Sequence, residues 1–213
     1  GQAQLTLITN SAKLPQKQAL IAAIQAQLPE VVSIMQNINK GKSVLVWGEQ
    51  TIHLAGQETI TETLNGIHFE LTARAFFQLN PRQTAKMYQL VQEALALSPE
   101  DRLVDAYCGV GTIGLSLAQQ VAEVRGMDTI PDSIEAAKHN AAINHIDNAA
   151  YAVGAAEDLL PAWLADGFQP TALVVDPPRT GLDQQLIDAI LLSKPAKFVY
   201  VSCNPSTLAR DLK

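Results

Sequence analysis

The sequence predicts an α/β protein: a doubly wound, mostly parallel sheet over residues 73–213, with a smaller α+β unit, residues 1–72, ahead of it. Two patterns carry this reading. From Leu103 onward, apolar β-branched runs alternate with stretches of helical periodicity. Strands separated by helices of that length imply right-handed crossovers, hence a parallel sheet covered on both faces. Before Thr72, short apolar segments are instead split by turn-forming residues at Asn39-Lys40-Gly41, Gly48-Glu49-Gln50 and Asn65-Gly66, which suggest hairpins in an antiparallel α+β unit.

Taken in order, the first unit reads as a strand over 5–9, a helix over 16–28, and strands over 31–38, 43–47, 51–54 and 67–71. Of its turns, the Asn65-Gly66 pair is the clearest. A connecting helix follows over 81–97. The second unit then alternates strands over 103–107, 123–128, 151–154, 172–176 and 197–203 with helices from Thr112, from Pro131, near 157–165 and over 183–192. Ligands in such sheets bind outside the carboxyl ends of the strands, where every motif discussed below falls.

At 213 residues and 47% hydrophobic, the chain can bury one substantial core with a smaller appended unit. Its longest apolar runs fall far short of the roughly 20 residues of a bilayer-spanning helix, so no membrane span is expected. The start, Gly1-Gln2-Ala3-Gln4-Leu5, lacks a secretory signal, and Gly1 in place of Met points to a trimmed chain. A cytoplasmic, thiol-reducing setting follows as the default, with both cysteines free. No metal site is expected: two cysteines do not suffice, and His53, His68, His139 and His145 show no ligand spacing. A net charge of −6 counts against nonspecific binding of nucleic acid. A local basic patch drawn from Lys13, Lys17, Lys40, Lys42, Arg74, Arg82 and Lys86, or a separate basic module, would offset it; ordinary solvated lysines are the plainer reading.

Asp105-Ala-Tyr-Cys-Gly-Val-Gly111 lies between a strand and a helix, and Asp128 ends the next strand. Glycines let the backbone turn tightly and approach a cofactor, while an acid at the second strand end can accept hydrogen bonds from both ribose hydroxyls. A dinucleotide would need its pyrophosphate at the helix start, where Asp105 would repel it. S-adenosylmethionine, with an ammonium, a sulfonium and a ribose but no phosphate, suits both Asp105 and Asp128.

Cys203, in Phe198-Val-Tyr-Val-Ser-Cys-Asn-Pro-Ser206, is the candidate nucleophile. A strand-end thiol followed by Asn204-Pro205 opens a helix amino end, which favours the thiolate. The bland alternative is a small buried hydrophobe. Cys108, within the glycine turn, is assigned no catalytic role. Asp176-Pro177-Pro178-Arg179 supplies a second wall: successive prolines hold an extended backbone without N–H donors, leaving carbonyls and the Asp176 carboxylate as acceptors beside the Arg179 cation.

Together, Phe76-Phe-Gln-Leu-Asn-Pro81, Asp105-x-Tyr-Cys-Gly-x-Gly111, Asp176-Pro-Pro-Arg-x-Gly-Leu182, and Ser202-Cys-Asn-Pro205 with Thr207-Leu-Ala-Arg-Asp211 resemble the uracil-5 RNA methyltransferases, over nearly the whole chain. The resemblance implies a Rossmann-like methyltransferase domain over 73–213 and an RNA-contacting unit over 1–72. It implies transfer of a methyl group from S-adenosylmethionine to form 5-methyluridine in RNA, with 23S ribosomal RNA favoured over tRNA and no obligate protein partner. Gln78, Tyr107, Asp128 and Asp176 would contact the cofactor or frame its site, although the family more often carries Glu at Asp128. Thr112 is a weaker candidate. Cys203 would attack carbon 6 of a flipped uracil, which turns carbon 5 into the nucleophile that takes the methyl group.

In the family, a Glu beyond the Ser-Cys-Asn-Pro motif removes the carbon 5 proton. The chain ends at Lys213, before that segment, and shows neither the small β-barrel nor the iron–sulfur cysteines of some relatives. The expectation is therefore a chain truncated at both ends that binds cofactor and turns over poorly or not at all. Alternatives are a methyltransferase with another acceptor, a non-catalytic RNA-binding or scaffold module, and an NAD-dependent oxidoreductase.

Overall fold

An 11-residue helix between two strands forces a crossover, and this decides the topology of the first unit. The computed structural model describes residues 1–41 and 46–213. Its contacts divide the chain into one unit of Gly1–Glu62 with Glu70–Arg74 and a second of Thr63–Phe69 with Ala75–Lys213.

In the first unit, β1 (Ala3–Thr9) runs into α1 (Lys17–Gln27), which returns the chain to β2 (Val31–Ile38), parallel to β1; β3 (Gln50–Gly56) then pairs antiparallel with β2. The sheet is mixed, which corrects the antiparallel expectation: the helix spans the length that a hairpin turn cannot. β2 is central, and its buried polar side chains are satisfied. Gln4 Nε2 donates to Ser33 Oγ, Gln36 Nε2 to Thr9 Oγ1 and Asn37 Nδ2 to Thr51 Oγ1, each at 2.9 Å.

Of the strand expected over 43–47, residues 43–45 lie outside the described residues, and Val46 and Trp47 are not in a strand. β4 (Ile60–Leu64) and β5 (Ile67–Leu71) form a hairpin about Asn65-Gly66, whose φ angles of 51° and 82° suit a tight type I′ turn. β4 lies outside the strands that the sequence predicts.

The second unit opens with α2 (Pro81–Leu95), capped by the Asn80 side chain, which accepts from the Gln83 N–H. A five-stranded parallel sheet follows: β6 (Arg102–Ala106), β7 (Glu123–Asp128), β8 (Ala149–Val153), β9 (Ala172–Val175) and β10 (Lys197–Tyr200), in the order β10-β9-β6-β7-β8. Helices α3 (Thr112–Leu117), α4 (Pro131–Ile143), α5 (Ala156–Ala165) and α6 (Gln184–Ser193) cross between the strands, and α7 (Pro205–Asp211) ends the unit.

The chain winds outward from β6 through β7 to β8, then crosses back to β9 and β10. The order therefore reverses between β6 and β9, where connections leave in opposite directions and open a crevice at the carboxyl edge. Val104, Ala106, Leu173 and Val175 point to one face and pack with Ala156, Leu160, Phe168, Leu186 and Ala189 into a buried apolar core. Period-two alternation sends Leu103 and Asp105 to the other face.

β10 is shorter than the strand expected over 197–203. Its partner β9 gives way to Pro177-Pro178, which have no N–H to donate, and the last ladder bond is Val201 N–H to Val175 O at 2.8 Å. Ser202 and Cys203 are thereby released into a turn. Among the described residues no helix is long and apolar enough to cross a membrane.

Candidate functional site

At the reversal point the carboxyl ends of β6, β7 and β9 and the turn after β10 line one cavity of about 1220 Å³. Gln78, Tyr107, Asp128, Asp176 and Cys203, the five site residues expected from the sequence, all line it.

The glycine turn after β6 is built by its backbone. Cys108 N–H donates to Met127 O at 3.0 Å and Gly111 N–H to Cys108 O at 2.9 Å. Tyr107, Gly109 and Gly111 take positive φ angles of 64°, 54° and 86°. That conformation is open to glycine but costs a tyrosine about 1–2 kcal/mol, and it turns the Tyr107 side chain into the cavity wall. Gly111 is constrained twice over: besides its φ, a Cβ there would stand 2.9 Å from the Tyr151 hydroxyl.

Asp128 closes this turn. Its Oδ2 accepts the Gly109 N–H at 3.0 Å and its Oδ1 the Ile130 N–H at 2.9 Å, so the carboxylate is fixed with lone pairs to spare for a diol. Burial raises the Asp176 carboxyl, at the end of β9, to a pKa of about 6.

Asp105 differs from expectation. It is 1% exposed and is not part of the cavity wall; its Oδ2 accepts the Gly114 N–H at 2.7 Å, fastening the first turn of α3 to β6. Among the described residues its Oδ1 has no hydrogen-bond partner. The even register of β6 aims it inward, so it cannot meet a ligand directly. Burial, with smaller contributions from the nearby Asp176 and Asp128, raises its pKa to about 7, against a lowering by the Gly114 N–H.

Cys203 is exposed, whereas Cys108 is 4% exposed and burial pushes its thiol well up. The Cys203 turn is held from both sides. Ser202 Oγ accepts the Asn204 N–H at 3.1 Å, and Asn204 Oδ1 accepts the Ser206 N–H at 3.1 Å. Asn204 Nδ2 also donates to Arg179 O at 3.0 Å, tying this turn to the Asp176-Pro-Pro-Arg179 loop.

The sequence reading gives no role to several further cavity residues, among them Tyr88, Glu157 and Asp211. Tyr88 belongs to the buried stripe Thr84, Tyr88, Val91 and Leu95 of α2, a spacing that flags it as core while hiding that its hydroxyl meets Thr112 Oγ1 at 2.8 Å. Glu157 looks like an ordinary first-turn acid of α5. Among the described residues no group of three or more His, Cys, Asp or Glu side chains could hold a metal ion.

A parallel sheet in this order, with a glycine turn after its first strand and an acid ending the second, defines a Rossmann-like methyltransferase domain. Comparison with known proteins refines that class. Residues 48–213 match the model of the tRNA (uracil-5-)-methyltransferase family, and the chain belongs to that family. It is 64% identical over 213 residues to an uncharacterized RNA methyltransferase of Lactiplantibacillus plantarum and 59% identical over 212 residues to one of Listeria innocua, all of this chain being covered in each case. It spans 44% and 46% of those relatives, less than half their length. Among solved structures, it resembles the Pyrococcus abyssi tRNA (uracil-54, C5)-methyltransferase in complex with S-adenosyl-L-homocysteine, with a TM-score of 0.77 and 31% identity over 97% of this chain and 48% of that one. A tRNA methyltransferase of Methanocaldococcus jannaschii, 13% identical at a TM-score of 0.59, shares the fold and covers 99% of this chain and 64% of that one.

Proposed function

We propose that this chain binds S-adenosylmethionine and carries the thiol through which carbon 5 of a uridine in RNA is methylated. The observation that carries the reading is that the glycine turn with Asp128 and the exposed Cys203 line the same cavity.

The residues suit such a cofactor. Asp128 offers the fixed carboxylate that a ribose diol requires, and Tyr107 and Gln78 stand on the same wall. Asp176 lies on the wall with Asp105 behind it, and mutual repulsion of Asp105, Asp128 and Asp176 is part of what raises the Asp105 pKa. A cationic ligand relieves that repulsion, whereas a pyrophosphate would add to it. The P. abyssi relative was crystallized with S-adenosyl-L-homocysteine. When bound, the cofactor supplies an electrophilic methyl group.

Cys203, as thiolate, adds its sulfur to carbon 6 of uracil, and the displaced π electrons make carbon 5 nucleophilic. Carbon 5 would take the methyl group as the bond from that group to the sulfonium breaks and leaves a neutral thioether; a base removes the carbon 5 proton, the electrons of that bond restore the ring double bond, and the Cys203 sulfur leaves with its own electron pair. The uracil must leave its stack to reach a strand-edge cavity, so a flipped or looped-out nucleotide is required. Asp176, Pro177 and Pro178 line the cavity as its second wall, and Arg179 offers a cation to a phosphate or a uracil oxygen. We read the RNA as 23S ribosomal RNA, on overall sequence likeness.

RNA containing 5-fluorouridine tests the mechanism, because fluorine takes the place of the carbon 5 proton, a base has nothing to remove, and the adduct persists. With S-adenosylmethionine present, a denaturation-stable protein–RNA band is expected, absent in Cys203→Ala, while calorimetry shows S-adenosylhomocysteine binding retained in that variant and lost in Asp128→Ala. An undiminished band in Cys203→Ala would overturn the nucleophile. Trapping of a tRNA transcript in preference to a 23S fragment would overturn the choice of RNA.

A further inference from the structure

The motif Thr207-Leu-Ala-Arg-Asp211 contributes nothing to the chemistry above, yet its last two residues line the cavity and bond to two other segments of the chain. Asp211 Oδ2 accepts the Leu182 N–H at 2.8 Å and the Tyr200 hydroxyl at 2.9 Å, and its Oδ1 accepts Arg210 Nε at 2.7 Å. Arg210 in turn donates through NH2 to Thr180 O at 2.9 Å. The Asp211 side chain is 1% exposed. Burial alone would raise its pKa, but the Leu182 N–H, Arg210 and Tyr200 outweigh burial and hold it below the usual carboxylate range, so it stays ionised.

These bonds join three segments. Tyr200 ends β10, Arg210 and Asp211 end α7, and Thr180 and Leu182 belong to the loop that begins at Asp176. At the other end of α7, Asn204 Nδ2 holds Arg179 O. Cys203 therefore sits in a turn whose loop partner is clamped at both ends of one short helix. Gly181 shows how close the clamp is: at φ +78°, a Cβ on it would stand 2.7 Å from Arg210 NH2 and 3.0 Å from Thr207 Cβ. Only glycine lets the loop lie against α7 in this way.

We infer that Asp211 is a positioning residue: with Arg210 it latches the 176–182 loop onto α7 and so fixes where the Cys203 thiol stands relative to Asp176 and Arg179. The inference deepens the proposed function and rests on Cys203 as nucleophile only for its catalytic consequence. The latch itself is tested without catalysis. Its physical logic is that of preorganisation: a nucleophile and the wall it works against must keep their separation to well under 1 Å, or rate is lost without loss of ligand affinity.

The test compares the wild-type chain with Asp211→Ala, Asp211→Asn and Tyr200→Phe by three readouts. Amide hydrogen exchange is followed for residues 179–182 and 202–206. The 19F spectrum of a trifluoromethyl label is recorded on Cys203, Cys108 being buried. The rate of 5-fluorouridine RNA trapping is measured at saturating RNA, beside the Kd for S-adenosylhomocysteine. In Asp211→Ala, exchange in both segments is expected to accelerate tenfold or more, the single fluorine line to broaden or split, and trapping to slow tenfold or more with Kd changed less than threefold. Asp211→Asn keeps an acceptor and recovers part of each effect. If Asp211→Ala does not fold, Tyr200→Phe carries the test with smaller shifts of the same sign. Unchanged exchange together with a single sharp fluorine line overturns the latch. If exchange and fluorine respond while the wild type traps no RNA, the latch stands and the nucleophile reading falls.

Discussion

The Tyr88 hydroxyl on α2 and the Thr112 hydroxyl at the start of α3 lie 2.8 Å apart, joining the connecting helix to the glycine turn. Burial raises the Tyr88 pKa above its usual range, against a lowering by Thr112, so the phenol stays protonated at any working pH. Tyr88→Phe removes one buried hydrogen bond and leaves Thr112 without its partner. It is expected to lower unfolding stability by about 1–2 kcal/mol and to weaken S-adenosylhomocysteine binding severalfold. Chemical denaturation and calorimetry check both, with exposed Gln89→Ala as the neutral control. Unaltered binding in Tyr88→Phe would mean that Thr112 keeps its position without Tyr88.

Gly126, in the middle of β7, faces the Tyr151 ring of β8, and a Cβ there would overlap Tyr151 Cδ1 and stand 3.1 Å from Cys108 Sγ. The ring in turn packs under Gly111 of the glycine turn after β6. Gly126→Ala therefore pushes a buried aromatic into the site, with an expected cost of about 1–3 kcal/mol. A fall in melting temperature with no companion loss of cofactor affinity would show that β8 absorbs the shift without passing it to the turn.

Much of this was legible in the sequence because local and global signals agree. The parallel sheet shows in runs such as Ala172-Leu-Val-Val175, too apolar for anything but a strand buried on both faces. That Tyr107, Asp128, Asp176 and Cys203 come together at one cavity was legible through their motifs, since strand ends and the turns after them converge in a doubly wound sheet. What failed had physical causes. β4 reads Ile60-Thr-Glu-Thr-Leu64, polar at alternate positions and half exposed, so it resembles a loop until its partner is known. The parallel β1–β2 pairing is hidden because the turn residues after β2 signal hairpins, whereas the α1 helix between the two strands sets their direction. The inward aim of Asp105 follows from strand register, which a motif does not record. The latch at Asp211 depends on a side chain meeting a backbone N–H 29 positions away, and no periodicity announces that.

Cofactor affinity carries its own pH signature. The Asp176 carboxyl on the cavity wall has its pKa raised by burial to about 6 and is neutral below it. A cationic cofactor gains attraction only once this group ionises. Affinity for S-adenosylmethionine is therefore expected to rise as pH passes upward through about 6, severalfold between pH 5 and 7, and Asp176→Asn should remove the rise. Calorimetric titrations at several pH values decide; a flat wild-type profile would place Asp176 too far from the cation to matter.

Stability should carry two opposite signatures from two buried aspartates. Asp101 is 6% exposed. Burial would raise its pKa, but the Lys197 ammonium at 2.6 Å, the Thr171 hydroxyl and the Ser98 N–H and hydroxyl together hold it below its ordinary value of 3.8. Its contribution is present above 3.8 and is lost as pH falls through the folded value. Asp105 has its folded pKa raised from 3.8 to about 7, chiefly by burial. Its contribution is full below 3.8 and is lost as pH rises through about 7, because the folded state must give up a proton from a buried carboxyl. Asp176, raised to about 6, adds to that second trend. In urea titrations of the ligand-free chain, Asp105→Asn is expected to flatten the decline between pH 4 and 7 while leaving the acid limb intact. Lys197→Met should do the reverse, lowering stability by about 1.5–3 kcal/mol at neutral pH by removing the charged partner of Asp101, which keeps its Thr171 and Ser98 donors, with the difference from wild type shrinking as acid protonates it. Parallel curves for Asp105→Asn and wild type across pH 4 to 7 would show that Asp105 is ionised throughout that range, with its second oxygen satisfied by a bound water.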